Sequence, residues 1–476
     1  MSAHARQFIN GTLVDSAAAG QAVDPATGNV IGSFADGDRR DAKAAIAAAR
    51  SAFDSTDWSR NRALRSRVLH QMADLLEARK FDFVDILTRE NGKTLAEASF
   101  ELSLAIPKLR YYGALTLTEA GRAAEVSPGL MQRSVPEATG VAGLIVPWNS
   151  PVVLAVRSFA PALGAGCTVA MKLPSQTSLV NGMLHQLLAD IPDLPSGVIN
   201  SVTESGSDFA TLLVESPDVD VVSYTGSTRM GRTIMATAAA RLKRVSLELG
   251  GKTPMVVFAD ADLDAAVATL TSAVTTFAGQ FCMTGSRILA HHEIADQLAG
   301  RLVESLAAVR VGPGYSPGSQ MGAMVDAASA RRVDDLVNSA IADGTAVALL
   351  RGGRQGDTAF YHPSLLAVAD VRAQIVQQEL FGPVATFETF VDEDEAVEKA
   401  NATEYGLAAS IWSRDIDIPA RVGARLKAGT VWTNTWAVVT DYFEEGGFKQ
   451  SGLGRLNGVA ALAEFQEIKT YVHRYA

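Results

Sequence analysis

Cysteine is nearly missing from this chain. Of 476 residues only Cys167 and Cys282 carry thiols, too few for a disulfide framework at this length. A reducing, cytoplasmic compartment is the expected setting, and any thiol chemistry must use one of these two residues. Long apolar runs are also missing. The most apolar stretch, residues 141–156, is interrupted by Pro147, Asn149 and Pro151 and does not read as a membrane-spanning helix. Residues 1–10 are polar, without the apolar core of a secretory leader. Basic charge is in deficit: 42 Lys and Arg against 52 Asp and Glu give a net charge of −10, which argues against a nucleic-acid partner. Histidine is scarce as well. His291 and His292 have no partner ligands at metal spacing, so no metal site is expected.

What is present is ordinary globular material. Hydrophobic residues make up 47% and charged residues 20%. The length suggests about three domains, or two large ones with an appendage. Residues 1–35 read as short strands and turns, with Asp24-Pro25-Ala26-Thr27-Gly28 a turn. Residues 38–120 read as helices: 41–53 is Ala-rich, 60–80 places Val68, Leu69, Met72, Leu75 and Leu76 at helical spacing, and 89–112 carries Pro107 as an expected kink or break. Residues 125–137 suggest a hairpin about Ser127-Pro128-Gly129. Strand and helix then alternate, with strand candidates at 141–146, 168–173, 198–203, 219–225 and 245–249. Such alternation predicts a parallel sheet covered on both faces, with ligands at the carboxyl ends of its strands. A second α/β run starts at 254–258, where Asp260-Ala261-Asp262-Leu263-Asp264 reads as an acidic helix start. The run continues to about residue 439, and the tail, 469–475, alternates like an edge strand.

Several short stretches have chemical potential, and each has a plain structural reading beside it. Cys282 stands in Phe277-Ala278-Gly279-Gln280-Phe281-Cys282-Met283-Thr284. Gly279 allows close backbone approach, and a thiol there could be a nucleophile or a packed apolar side chain. Glu248 ends a strand before Leu249-Gly250-Gly251-Lys252. It could be a general base or a salt-bridged strand end. Pro147-Trp148-Asn149-Ser150-Pro151 could present an amide to an oxyanion, or be a turn held by two prolines. Tyr224-Thr225-Gly226-Ser227-Thr228-Arg229-Met230-Gly231 reads as strand, turn and helix start. That is a pyrophosphate cradle or simply a capped helix, and it is neither G-x-G-x-x-G nor a Walker loop.

Taken in order, these motifs resemble the aldehyde dehydrogenase superfamily over nearly the whole chain. Two later motifs add to the set: Glu379-x-Phe381-Gly382-Pro383, and Gly446-Gly447-Phe448-Lys449 followed by Ser451, Gly452, Gly454 and Arg455. The resemblance implies a Rossmann-like cofactor domain (1–120 and 138–249), a second α/β catalytic domain (250–445), and a small β oligomerisation element (121–137 and 464–476). It implies Cys282 as the nucleophile, Asn149 with the Cys282 backbone N–H as the oxyanion hole, and Glu248 as the base for the hydrolytic water. Val146, Pro147, Trp148, Lys172, Ser175, Gly226, Ser227, Leu249, Glu379 and Phe381 are the residues implied at the cofactor. The implied reaction is NAD(P)-dependent oxidation of an aldehyde to the acid by a homodimer or homotetramer, through a thiohemiacetal and a thioester. CoA-dependent members lack this Glu, so Glu248 favours hydrolysis.

Two departures from the family pattern bear on specificity. Lys172-Leu173-Pro174-Ser175 has Ser175 where NAD-preferring members have Glu, which makes NADP a candidate cofactor. On the substrate side, Ser150 follows Asn149, Arg157 lies eight residues beyond it, and Phe277, Trp436 and Phe448 suggest an aromatic tunnel. Arg157 resembles a residue of aromatic-aldehyde and succinate-semialdehyde members, and it could equally bridge structural elements. Thr276 occupies the place of the semialdehyde group's second arginine. The expected substrate is an aromatic or apolar aldehyde. A succinate-semialdehyde-type substrate, a CoA-acylating reaction, thiol-esterase activity and a non-catalytic role stay open. Cys167 reads as a packed small residue.

Overall fold

A computed structural model of the chain describes residues 3–118 and 120–475. Two large sheets organise it. The first has eight strands, and its five central strands are parallel, in spatial order Arg244–Glu248, Val221–Thr225, Val141–Ile145, Thr168–Pro174, Ile199–Glu204. Numbered along the chain, that is the order 5-4-1-2-3 of a dinucleotide-binding sheet. The order reverses between Val141–Ile145 and Val221–Thr225, and a crevice opens at such a switch point. These strands are buried along almost their whole length, as strands covered on both faces are. The second sheet has seven strands. Six are parallel, from Ser364–Ala367 through Pro254–Val257 to Thr430–Thr433, and Val347–Leu350 closes one edge antiparallel.

The helices before the first sheet follow their apolar spacing. Asp38 closes a capping box on Arg39–Ser55, and Asn61 caps Arg62–Ala78. Residues 89–112 do not form one helix. Leu87–Asn91 is a π-turn ended by Gly92 at φ +80°, and a new helix runs Leu95–Thr118. Pro107 lies inside that helix without breaking it. A helix-interior proline costs about 3 kcal/mol. The same helix buries Leu102, Ile106, Leu109 and Tyr112, and each large apolar side chain so buried contributes about 1.5–3 kcal/mol. Packing therefore outweighs the local penalty.

The hairpin expected near residue 128 is present as Arg122–Ser127 and Leu130–Ala138, and the tail strand Gln466–Arg474 pairs antiparallel with its second arm. Cys167 is fully buried, and its backbone carbonyl accepts the Trp58 indole N–H at 2.9 Å. Burial raises its thiol pKa, which makes it an unreactive packing residue. Among the described residues no helix is long and apolar enough to cross a membrane.

Candidate active site

The segment before Cys282 is built from unusual backbone. Phe277, Ala278 and Gly279 have φ of +54°, +52° and +69°. Two non-glycine residues in left-handed conformation form a strained run. It is held by Glu97, whose carboxylate accepts the Phe277 N–H at 2.6 Å, and by the Thr284 hydroxyl donating to the Gly279 carbonyl at 3.1 Å. A Cβ on Gly279 would lie 2.2 Å from the backbone of Gly382. Gly279→Ala is therefore expected to lower the melting temperature by several degrees and to cut kcat/KM about 100-fold or more, because the nucleophile's backbone must move. Thermal melts and steady-state rates check this.

Cys282 is shared by two cavities. One, of about 310 Å3, opens at the switch point of the first sheet, where Pro147, Trp148 and Asn149 meet Thr225, Gly226 and Ser227, with Glu248, Leu249 and Glu379. Trp148 and Phe381 meet edge to face here, centroids 5.5 Å apart. Ser227 caps the Thr228–Ala239 helix, whose first N–H groups are an anion site. Gly250 leaves room beside Glu379, whose Oε2 would lie 2.3 Å from a Cβ there. The Glu379 Oε1 accepts the Gly251 N–H at 3.2 Å. These features fit a dinucleotide: helix N–H groups for its pyrophosphate, a carboxylate for a ribose, and aromatic walls for a flat ring.

Val146 donates its N–H to the Lys172 carbonyl at 3.1 Å, which ties the switch-point turn to the neighbouring strand. Lys172 is partly exposed, and burial lowers its pKa against the pull of Glu204 and Asp36. Ser175 begins a short 3-10 turn beyond the same strand. The sequence did not single out Glu204 or Asp36, and both put negative charge near Lys172.

The second cavity, of about 460 Å3, holds Phe100, Phe277, Phe281 and Trp436 beside Asn149, Ser150, Arg157 and Cys282. Phe277 and Trp436, named in the sequence for an aromatic tunnel, both line this cavity. Phe448 is not in the wall. It is 44% exposed and lies under the Arg455 guanidinium at 5.5 Å, where its backbone N–H is tied to the Gly406 carbonyl at 2.8 Å. Arg157 faces the cavity but is already engaged: it donates to Glu445 at 3.0 Å and to the Thr225 hydroxyl at 3.0 Å.

The electrostatics are set by burial. Desolvation raises the Cys282 thiol pKa, Glu445, Glu379 and Glu248 push it the same way, and Arg157 opposes them. Glu248, at the end of its strand, is 3% exposed, and its Oε1 has no hydrogen-bond partner among the described residues. Burial pushes its pKa up to about 8, against Arg157. The same cause raises Glu379 to about 7. Asn149 uses one amide N–H on the Gln280 carbonyl at 3.0 Å, which leaves its second for an incoming oxygen.

One residue missed in the sequence is Lys93. It is buried, donates to the Asn149 carbonyl, lies 3.3 Å from Glu101, and sits 3.7 Å above the Phe277 ring. Glu101 in turn accepts the Val152 N–H at 2.7 Å. The two fix the Asn149 turn. Nothing in the local pattern around Lys93 signals this, since its partners lie far along the chain. The glycine-rich loop is the other long-range element. Gly452–Leu453 pairs with Leu247 and Glu248, and the Ser451 hydroxyl donates to the Gly250 carbonyl at 2.6 Å. The second half of the chain thus closes over the strand that carries Glu248.

The fold and this junction define the class: a two-sheet α/β enzyme in which a dinucleotide-type cleft and an aromatic cavity meet at one cysteine. The chain belongs to the aldehyde dehydrogenase family, whose model matches residues 14–471. It is 36% identical over 460 residues to a betaine aldehyde dehydrogenase of Bacillus subtilis, covering 95% of this chain and 93% of that protein. Among solved structures it is similar to an NAD-dependent aldehyde dehydrogenase from Sinorhizobium meliloti, at TM-score 0.96 and 36% identity, covering 99% of this chain and 95% of that one. It is also similar to the betaine aldehyde dehydrogenase of Staphylococcus aureus in complex with NAD+, at TM-score 0.95 and 33% identity, covering 98% of this chain and 94% of that one.

Proposed function

We propose that this enzyme oxidises an aromatic or apolar aldehyde to the free acid through a thioester on Cys282. The observation that carries the reading is the position of Cys282, open to the aromatic cavity on one side and to the dinucleotide cleft on the other. The Cys282 thiol gives up its proton to solvent, the sulfur attacks the aldehyde carbon, and the oxyanion takes N–H donors from Asn149 and from the Cys282 backbone. Among the described residues that backbone N–H has no partner in the protein. Such donors stabilise charge as it develops. A nicotinamide dinucleotide held by Gly226, Ser227, Glu379 and Phe381 supplies the hydride acceptor. Glu248 takes a proton from water, hydroxide adds to the thioester, and the thiolate leaves.

Two observations bear on the competing readings. Glu445 neutralises Arg157, which disfavours a carboxylate clamp for a succinate-semialdehyde-type substrate. Glu248 in the cleft disfavours transfer to CoA. The relatives named above support NAD, and Ser175 supports acceptance of the 2′-phosphate of NADP, while Glu204 and Asp36 count against a preference for it. The exposed sheet Arg122–Ser127, Leu130–Ala138 and Gln466–Arg474 supports assembly as a homodimer or homotetramer. The two free cysteines suit a reducing cytoplasm. The two large sheets support a division into a cofactor domain (1–120 and 138–249), a catalytic domain (250–445) and a bridging element (121–137 and 464–476).

The test is a turnover screen followed by nicotinamide absorbance, with NAD and NADP crossed against benzaldehyde, succinic semialdehyde and a short alkyl aldehyde, with and without CoA. The highest kcat/KM is expected with benzaldehyde, without CoA, and with both cofactors accepted. Turnover concentrated on succinic semialdehyde, or dependent on CoA, would contradict the proposal. Ser175→Glu is expected to lower kcat/KM for NADP by about tenfold or more, through carboxylate–phosphate repulsion, with NAD much less affected.

A further inference from the structure

The walls of the substrate cavity are mixed. Phe100, Phe277, Phe281 and Trp436 give it aromatic surface, Leu104, Val153 and Leu154 add aliphatic surface, and Glu97, Glu101, Asn149, Ser150 and Thr276 are polar. Five further polar lining residues, Lys108, Arg157, Asp441, Glu445 and Asn457, form one hydrogen-bonded chain. Arg157 donates to the Glu445 Oε1 at 3.0 Å, and the Asn457 amide donates to the Glu445 Oε2 at 2.9 Å. The Lys108 ammonium donates to the Asn457 Oδ1 at 2.6 Å and to the Asp441 Oδ1 at 2.7 Å.

The chain is complete at Glu445, where both carboxylate oxygens are used. It is incomplete at its other end. An ammonium has three N–H donors, and Lys108 directs two of them to Asn457 and Asp441. The Asp441 Oδ2 accepts no hydrogen bond from the described residues, and the Asp441 side chain is 19% exposed. One donor and one acceptor, on groups 2.7 Å apart, are therefore left over on the wall of the cavity that also holds Phe100, Phe277, Phe281 and Trp436.

We propose that Lys108 and Asp441 recognise a hydroxyl group on the substrate, so that the enzyme prefers hydroxylated aromatic aldehydes. This rests on the aromatic-aldehyde reading above and names the substituent. A hydroxyl both donates and accepts, so it satisfies the two groups together. A carboxylate gains Lys108 but is repelled by Asp441, and an ammonium gains Asp441 but is repelled by Lys108. A methyl group of similar size displaces water and leaves the third Lys108 donor and the Asp441 Oδ2 without a partner, which costs free energy even though the two groups stay paired with each other. The net neutrality of the pair thus selects a polar, uncharged substituent.

The test compares the ortho, meta and para hydroxybenzaldehydes with the matching methylbenzaldehydes and with carboxybenzaldehyde. Ring substituents also change the intrinsic reactivity of the carbonyl. The quantity read is therefore the hydroxyl-to-methyl ratio of kcat/KM in the native enzyme, divided by the same ratio in Asp441→Asn and in Lys108→Met. In the native enzyme at least one isomer is expected to show a ratio of about tenfold or more, and both variants should lower it by a similar factor, mainly through KM. Lys108→Met strands Asp441 and can fail to fold. Asp441→Asn keeps the side-chain shape and the Lys108–Asn457 bond, and the native series needs no variant. A ratio near one for every isomer, an unchanged ratio in Asp441→Asn, or carboxybenzaldehyde as the best substrate would overturn the hydroxyl assignment alone. Turnover of alkyl aldehydes with none of any aromatic aldehyde would overturn the aromatic reading and this assignment together.

Discussion

Cys282→Ala is expected to abolish aldehyde oxidation, lowering kcat by about 10⁴-fold or more, while the protein still folds and binds its dinucleotide. Loss of a covalent nucleophile removes the pathway itself, not one stabilising contact within it. The substitution is small. Cys282 packs among Phe281, Trp432 and Trp436 without a side-chain hydrogen bond from the described residues, so its removal leaves no polar partner stranded among them. Dinucleotide binding, read by quenching of tryptophan fluorescence, separates a lost nucleophile from a lost fold. Turnover near the native rate in Cys282→Ala would refute the role, because Cys167 is sealed in the core and cannot substitute.

Glu248→Gln is expected to divide the reaction in two. Hydride transfer should survive, giving a burst of one reduced nicotinamide per site. Hydrolysis of the thioester should slow by about 10²–10⁴-fold, the usual contribution of a general base. Glutamine has nearly the same shape, and the native carboxyl is already held neutral over much of the acidic and neutral range by burial. The fold should therefore tolerate it. The pH dependence follows with a definite sign. Glu248 works as a base only when ionised, and its pKa is raised to about 8. The steady-state rate of the native enzyme should therefore climb as pH rises through about 8, wherever hydrolysis limits turnover. The variant should lose that rise. If burst and steady state fall by the same factor, Glu248 serves the thiol and not the water.

Some of this was legible in the order of residues alone. The five parallel strands show as short apolar β-branched runs separated by helical spacing, which local periodicity reports directly. Membership of the family rests on short motifs around Asn149, Gly226, Glu248, Cys282 and Glu379, each a turn or strand end whose backbone needs particular residues. Gly279 is one such case. Its left-handed φ and the Gly382 backbone against it explain why a residue without a side chain precedes the nucleophile. The scarcity of cysteine likewise narrows the thiol chemistry to two positions, a limit that composition alone imposes.

The partners of the charged residues were decided only by the tertiary structure. Arg157 reads in sequence either as a substrate clamp or as a bridge between elements, and it is Glu445, 288 residues away, that engages it. Lys108 is not singled out by the sequence, yet it meets Asn457 across 349 residues and faces the substrate cavity. Phe448 reads as tunnel wall and lies outside it, since a loop's direction depends on what it packs against. Pro107 reads as a break, and the core around it keeps the helix whole. The physical reason is the same in each case. Periodicity and turn chemistry act over a few residues, whereas pairing of buried charges and the shape of a cavity depend on contacts between segments that only the folded chain brings together.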